Sequence, residues 1–312
     1  MYYYIPVNHM TTETGMNQIC FNQITACGEN CEGCEKKKNG ACEGCIAADG
    51  YVPEWAGSGR CPVHACCREH CVQFCGLCAA FPCADLTKKV HWNPEIVSRQ
   101  RELADRCRER GYPGRVQAEL LLAEAEQRNP GPWGNHSRTA AHCAEKIALY
   151  AGMDPEKAYV LGLLHDIGRR FGKRHLGHVS DGYSYMMSLG WKDAARICLT
   201  HSFNQGKIEA YVGNFDTSEE ETELIRSGLQ ETVPDDYDRL IQLCDAISGA
   251  EGVMDIVDRM SDVKRRYGSY DPEKWDANLA LKAYFEDRMG KDLYEAVEKD
   301  RFSPSPAGQP SC

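Results

Sequence analysis

Long apolar runs are absent from this sequence: nowhere do about 18 apolar residues follow one another, the length that a membrane-spanning helix needs. The N-terminus, MYYYIPVNHM, lacks the basic region and the apolar run of about 7 to 15 residues that form a secretory signal. Positive charge is also scarce, because 46 acidic residues outnumber 36 basic ones and leave a net charge of −10. This balance disfavours nonspecific binding to nucleic acid. We therefore expect a cytoplasmic protein that binds neither membranes nor extended nucleic acid.

The cysteines, by contrast, are numerous and unevenly distributed. Thirteen of the 18 lie between Cys20 and Cys83, and the other five are scattered as far as Cys312. A chain of 312 residues is long enough for two domains, and the change in cysteine content indicates where they divide. The predicted units are a cysteine-rich domain (16–112), a second domain (113–300) and disordered ends (1–15 and 301–312).

Within the first domain the cysteines are paired at the short spacing of metal-binding turns. The segment CEGC occurs twice, at Cys31–Cys34 and Cys42–Cys45, with glycine where a tight turn needs it. In a reducing cytoplasm, clustered cysteines hold metal more often than they form disulfides. We therefore predict a small domain stabilised by structural zinc. The predicted ligands are Cys27, Cys31, Cys34, Cys42, Cys45, Cys61, Cys66, Cys75, Cys78 and Cys83.

Other readings of these cysteines remain open. The spacing of Cys27, Cys31 and Cys34 also suits an iron–sulfur cluster, which a colourless protein with stoichiometric zinc would exclude. Disulfides in an exported protein are a further alternative, and so is a protein partner bound through this domain. Over roughly residues 16 to 110, the cysteine order ending in F-P-C resembles a small bacterial cysteine-rich family of unknown function, which implies no activity. Three cysteines lie outside its pattern: Cys20, Cys67 and Cys71.

From Arg115 onward the sequence predicts a mainly α fold, with helix following helix and almost no strict alternation. Aspartates that precede prolines mark helix starts, and a Ser-x-x-Glu pattern predicts a capping box. Glycines after apolar stretches mark helix ends. The predicted starts are Asn135, Asp154, Asp271 and a box over 217–221, and the predicted ends are Gly168 and Gly190.

Histidines and aspartates occupy core-directed positions in this part of the chain. His165 and Asp166 end the apolar stretch YVLGLLHDIG, His201 shares a helical face with Ile197, and Asp245 lies within RLIQLCDAIS. A buried imidazole beside a buried carboxylate needs a compensating partner, for which a metal cation is the natural choice. We predict that these helices converge on a metal site inside a bundle.

Over about Trp133 to Gly249 the sequence resembles the HD superfamily of metal-dependent phosphohydrolases, and most closely its hydrolases of nucleotides such as diadenosine polyphosphates. The motifs on which this resemblance rests are NHSRTAAHC, LLHDIG, HVSDG, ICLTHS and LIQLCDA. The resemblance implies an all-helical HD-domain bundle with two divalent ions bridged by Asp166. Its ligands are His136, His165, Asp166 and Asp245 for the first ion, with His178 and His201 for the second. His175 is an alternative to His178, and we interpret His142 as a non-ligand.

Histidine and carboxylate ligands suit iron, manganese or zinc. The function expected is hydrolysis of a nucleotide or another small phosphate ester by a metal-activated water. Three residues are predicted to be catalytic: Asp166, Arg169 and Lys173. Three others are predicted to bind substrate phosphates: Arg138, Arg170 and Arg174. The alternative for the segment 169–174 is a solvated basic loop with no contact to the substrate. A di-iron HD-type oxygenase and a non-catalytic protein that senses metal or binds a partner remain alternatives for the whole protein.

Overall fold

The chain is mainly helical, as its sequence predicts. The computed structural model describes residues 19–57, 59–84 and 93–297, so both predicted disordered ends lie outside the described residues. Within those ranges the only paired strands are two short antiparallel segments, β1 (Ser248–Gly249) and β2 (Gly252–Val253). None of the described helices combines the length and the apolar character that crossing a membrane requires.

The cysteine-rich part is built from short helical turns. Up to residue 84, its described α-helices are α1 (Glu35–Lys38) and α2 (Pro62–Glu69), and its described 3-10 helices are Phe21–Gln23, Cys31–Gly33, Pro53–Trp55 and Cys75–Leu77. Apolar burial is limited here: Phe21, Ile24 and Phe74 form one small cluster.

Helix α3 (Pro94–Glu109) completes this cluster. Although the helix is charged on most faces, Leu103 and Cys107 are buried against the cluster of Phe21 and Phe74. Gln100 is also buried, and its Oε1 accepts a 2.8 Å hydrogen bond from the backbone N–H of Gly76. One face of α3 therefore belongs to the core of the cysteine-rich part.

Hydrogen bonds join the two predicted domains across the boundary at residues 112 and 113. The Gln117 side chain accepts from the backbone N–H of Gln73 at 2.8 Å and donates to the carbonyl of Cys71 at 3.1 Å. The Asn22 side chain accepts from the backbone N–H of Arg115 at 2.8 Å. The cysteine-rich part therefore packs directly on the first helix of the second domain.

The second domain is a helical bundle with one large apolar core and a smaller second apolar cluster. Two 3-10 helices, Ile167–Phe171 and Ile208–Ala210, connect its longer helices. The described helices are α4 (Arg115–Arg128), α5 (Trp133–Tyr150), α6 (Pro155–Leu164), α7 (Gly177–Ser188), α8 (Lys192–Thr200), α9 (Glu219–Glu231), α10 (Asp236–Ile247), α11 (Ile256–Tyr267), α12 (Pro272–Met289) and α13 (Leu293–Val297).

Most of the predicted helix boundaries are confirmed. Asp154 and Asp271 accept backbone N–H bonds at the starts of α6 and α12, and Ser218 and Glu221 form the capping box of α9. Gly190 follows α7 with a φ of 84°, a left-handed conformation that glycine adopts at low cost. Local chemistry thus sets these boundaries.

Two predicted boundaries are wrong. Helix α5 begins at Trp133, so Asn135 lies inside its first turn and caps nothing. Helix α6 ends at Leu164, and Gly168 lies in the 3-10 helix that follows. Gly168 is required for a different reason: a Cβ atom there would lie 2.0 Å from the carbonyl oxygen of His178. The glycine permits close approach of α7.

A second glycine governs the contact between α5 and α6. A Cβ atom on Gly162 would lie 2.8 Å from the Cα atom of Ala141 and 3.1 Å from the carbonyl oxygen of Ala140. Backbone atoms cannot rotate away as a side chain can, so the helices approach this closely only with glycine at this position.

We predict that Gly162→Ala destabilises the fold by about 1 to 3 kcal/mol, because it overpacks a helix contact against backbone. Gly228→Ala is the matched control: the atoms nearest to its Cβ all belong to the Leu199 side chain, with Cδ2 at 2.8 Å, and a side chain can move. Alanine also raises helix propensity by up to about 1 kcal/mol, which offsets part of the strain in both variants. Urea unfolding of the full chain checks the difference, and equal stability of the two variants would contradict it.

Candidate metal centre

Six predicted ligands from five helical segments meet in the bundle. His136 lies in the second turn of α5, His178 in the first turn of α7 and Asp245 in the last turn of α10. His165 and His201 are the residues directly after α6 and α8. Asp166 follows His165 in the turn that leads into the 3-10 helix. Most of these side chains therefore lie at or next to helix ends.

The first group consists of His136, His165 and Asp245. The Nε2 atom of His136 lies 3.2 Å from Nε2 of His165 and 3.1 Å from Oδ1 of Asp245. His165 Nε2 lies 4.0 Å from the same carboxylate oxygen. The ligand atoms of the group lie within 4.8 Å of one another, close enough to hold one ion.

The second group consists of Asp166, His178 and His201, which are all buried. Oδ1 of Asp166 lies 3.0 Å from Nε2 of His178 and 3.5 Å from Nε2 of His201. The two Nε2 atoms lie 3.2 Å apart. This group has the same composition as the first, two imidazoles and one carboxylate.

Asp166 connects the two groups. While its Oδ1 atom belongs to the second group, its Oδ2 atom lies 3.9 Å from Nε2 of His165 in the first. The rings of His165 and His201 also approach edge to face, with centroids 5.1 Å apart. The two groups therefore adjoin through one carboxylate.

Backbone carbonyls fix the tautomer of all four histidines. Nδ1 of His136 lies 3.0 Å from the Ser248 carbonyl, and Nδ1 of His165 lies 2.6 Å from that of Gly162. His178 and His201 make the same contact with the carbonyls of His175 and Cys198 respectively. Because a carbonyl can only accept, each Nδ1 carries a proton, and a ring in its neutral form then presents a bare Nε2 atom.

This tautomer makes the site incomplete without a cation. In the neutral rings, bare nitrogens face each other at 3.2 Å in both groups, His136 with His165 and His178 with His201, and lone pairs so close repel. Two nitrogens bound to one ion at about 2.1 Å, with an angle near 100°, would lie about 3.2 Å apart. Oδ1 of Asp166 is buried and has no hydrogen-bond partner among the described residues. The donor set therefore fits divalent metal ions.

The protonation states favour the same conclusion. Burial lowers the pKa of His165 to about 4, against the opposing effect of the Asp166 carboxylate, so its ring is neutral at neutral pH. Burial acts to raise the pKa of the Asp166 carboxyl, but this pKa lies well below the usual range, and the neighbouring Arg169 guanidinium is the largest opposing cause. His165 and Asp166 thus supply a neutral imidazole and an ionised carboxylate, the forms that bind metals.

The two other histidines of this region lie elsewhere. The His175 ring packs against Tyr267, with centroids 6.1 Å apart, and it belongs to neither ligand group. The His142 ring packs against Tyr159 and lies 3.7 Å from a carboxylate oxygen of Glu145. The geometry therefore favours His178 over His175 as the ligand.

Of the predicted basic residues, Arg169 reaches the centre. Its Nε atom donates to Oδ2 of Asp166 at 2.5 Å, and its side chain lines the cavity above the ligands. Lys173 is exposed and does not line this cavity. The other three are paired away from it: Arg138 with Glu126, Arg170 with Glu124, and Arg174 with Asp181 and Glu221. This arrangement does not support the expected phosphate contacts of Lys173, Arg138, Arg170 and Arg174.

A cavity of about 490 Å³ opens onto both ligand groups. No motif in the sequence identifies a functional residue in α11 or α12, yet these helices form much of the cavity wall. Lys274 follows the cap Asp271 by three residues, and Arg259 lies in a helix rich in charge, so neither position stands out in the sequence. The lining residues that the sequence did not identify include Asn204, Tyr211, Arg259, Tyr270, Lys274 and Asn278.

The described residues of the cysteine-rich part form no comparable group. Its described cysteines form no disulfide, and no three of their sulfur atoms lie within 4.8 Å of one another. Two thiol pairs among them are in contact. Cys75, a predicted zinc ligand, lies with its Sγ atom 3.7 Å from that of Cys67, which lies outside the family pattern. Cys31 and Cys45, both predicted zinc ligands, share a side-chain hydrogen bond. Structural zinc therefore stays a prediction for the ten cysteines proposed from sequence, Cys27, Cys31, Cys34, Cys42, Cys45, Cys61, Cys66, Cys75, Cys78 and Cys83.

The fold and the site together define a helical bundle with two adjoining His/Asp groups. Residues 133–250, a segment that contains all six ligands, match the HD domain family. The C-terminal part of the chain is therefore similar to the HD domain, a family whose members are generally metal-dependent hydrolases. No curated protein and no solved structure matches the chain. The resemblance of the N-terminal region to a cysteine-rich family stays a prediction.

We predict that His178→Ala removes one bound metal ion, whereas His175→Ala retains both. His178 directs Nε2 at the Asp166 carboxylate, while His175 packs on Tyr267, outside both groups. Elemental analysis of the two variants, purified under anaerobic conditions, checks the assignment. Loss of an ion on changing His175, with full occupancy in His178→Ala, would reverse it.

Proposed function

We propose that this protein is a metal-dependent hydrolase of phosphoric esters or anhydrides, acting on a nucleotide or another small phosphate ester. The observation that carries the proposal is the pair of His/Asp groups that share Asp166 at an open cavity. The HD domain over residues 133–250 supports the same class of reaction.

Each ligand group would hold one divalent ion, for which iron, manganese and zinc are all suitable. When bound, such ions neutralise phosphoryl oxygens and lower the pKa of a water molecule toward neutrality. The ligands would be His136, His165 and Asp245 for one ion, and Asp166, His178 and His201 for the other.

Arg169 adds positive charge where the phosphoryl group would lie. Its side chain is about one-third exposed to the cavity and is held by its bond to Asp166. A guanidinium has five N–H donors in a planar fork that matches phosphate oxygens, and the bond to Asp166 uses only Nε. The arginine is therefore positioned both to orient Asp166 and to bind a phosphoryl oxygen.

Aromatic side chains in the same cavity support a nucleotide as the substrate. Trp133, Tyr211, Tyr267 and Tyr270 all line it, and aromatic faces stack on nucleobases. The volume of about 490 Å³ falls within the range of about 300 to 1,000 Å³ that is typical of small-ligand sites. The cavity thus has room for more than a phosphate group alone.

We predict that the wild-type protein, purified under anaerobic conditions, contains about two ions of iron, manganese or zinc per chain and releases phosphate from a nucleotide panel. Asp166→Ala should lose both the metal and the activity, because its carboxylate contacts both groups. Asp105→Ala, which removes a mostly exposed carboxylate from α3, is the control and should change neither.

Metal-loaded wild type that releases no phosphate would contradict the proposal. Oxygen consumption with an organic substrate would then favour the oxygenase, and inertness toward both would favour a binding protein. Unchanged metal content in Asp166→Ala would show that the ligand assignment is wrong.

We predict that Arg169→Ala lowers kcat/KM for phosphate release by about 10- to 100-fold, the usual effect of losing a charged hydrogen bond. Lys173→Ala should stay within about twofold, because an exposed lysine outside the cavity makes little difference. Steady-state kinetics and metal analysis of both variants check this. Loss of metal in Arg169→Ala would show that the arginine acts only by holding Asp166.

A further inference from the structure

The cavity has a second cationic wall, separate from the helices that carry the predicted metal ligands. Helices α11 and α12 contribute Arg259 and Lys274 to it. Neither residue belongs to a ligand group, and the proposed reaction at the metal centre uses neither. Charged side chains in a partly buried wall need compensation, so the partners of each show whether it is available to a ligand.

Arg259 is only weakly compensated. Its Nε atom is buried and has no hydrogen-bond partner among the described residues. The nearest ion pair joins its Nη1 atom to Asp262 at 4.0 Å, the limit of such a contact. Asp262 also has closer partners, since it bonds to Arg265 and, at 3.0 Å, to Arg266. The guanidinium of Arg259 therefore has donor capacity that the protein itself does not use.

Lys274 is held in place by backbone groups rather than by a carboxylate. Its Nζ atom donates to the carbonyls of Ser202 at 2.7 Å and Ala210 at 3.3 Å. No carboxylate among the described residues pairs with it within 4.0 Å. An ammonium group has three donors, so one remains for a ligand. Burial lowers the pKa of Lys274 to about 8, as expected for a cation without a close counter-ion.

The charges that line the cavity show what such a ligand would carry. Four cations face it, two of them being Arg169 and Arg266, against three carboxylates. Two of the carboxylates, Asp166 and Asp245, belong to the predicted metal groups. With divalent ions bound there, the cavity as a whole is positive and suits a polyanion.

We propose that Arg259 and Lys274 form a second anion subsite, so that the substrate is a phosphate ester bearing another anionic group. This inference rests on the proposed function for the identity of the reacting phosphoryl group. The subsite itself is a binding property and can be measured without turnover.

Calorimetric titration of the metal-loaded full chain with linear alkane bisphosphonates of two to six carbons tests the subsite. Alkylphosphonates of matched length serve as the single-anion ligands. We expect at least one bisphosphonate to bind about tenfold or more tightly than its matched monophosphonate. Arg259→Gln should abolish this advantage. Lys264→Gln, which removes an exposed charge from the same helix, should preserve it.

The inference is overturned if wild type shows no bisphosphonate advantage at any length, or if Arg259→Gln and Lys264→Gln reduce it equally. Should circular dichroism show that Arg259→Gln is unfolded, Arg259→Lys and Lys274→Gln take its place, and retention of the full advantage in both would count against the subsite. A bisphosphonate advantage without phosphate release from any substrate would refute the proposed function and leave the subsite standing.

Discussion

The hydrogen bond from each ligand histidine to a backbone carbonyl is the constraint on which the centre depends. It holds a proton on Nδ1, so in the neutral rings the Nε2 atoms of His136 and His165 face each other at 3.2 Å with no hydrogen between them. His178 and His201 repeat this arrangement. In a neutral site without a cation this is repulsive, and with one it becomes a set of ligands already in place. Metal binding and the stability of the bundle core are therefore coupled.

The fold provides these contacts by ending helices where the ligands are needed. Helices α6 and α8 stop one residue before His165 and His201, which frees each ring to bond a carbonyl of its own last turn. Glycine then allows the segments to pack closely. Gly162 permits close contact with α5, and Gly168 permits close contact with α7, in each case against backbone atoms. The position of the ligands is thus a consequence of backbone packing as much as of side-chain identity.

Two sets of helices form the cavity. The histidines and aspartates lie on or just after α5, α6, α7, α8 and α10, while α11 and α12 form a wall with cations that lack close carboxylate partners, Arg259 and Lys274. A wall of this kind costs free energy in the empty protein, because charged groups are partly buried without full compensation. Such a free-energy cost is typical of surfaces that bind a specific ligand.

The sequence alone determined the helical class, most helix boundaries and all six residues of the two groups, because caps, helical periodicity and the His-Asp doublet are local signals. It failed for Asn135 and Gly168, where the contact between segments decides where a helix begins or why a glycine is needed. It also predicted that five basic side chains contact the substrate, and of these only Arg169 lines the cavity. Arg138, Arg170 and Arg174 instead form ion pairs with nearby carboxylates. Arg259 and Lys274 became visible only in the tertiary structure. Which charges face a cavity depends on contacts between residues far apart in the chain, and no spacing in the sequence encodes them.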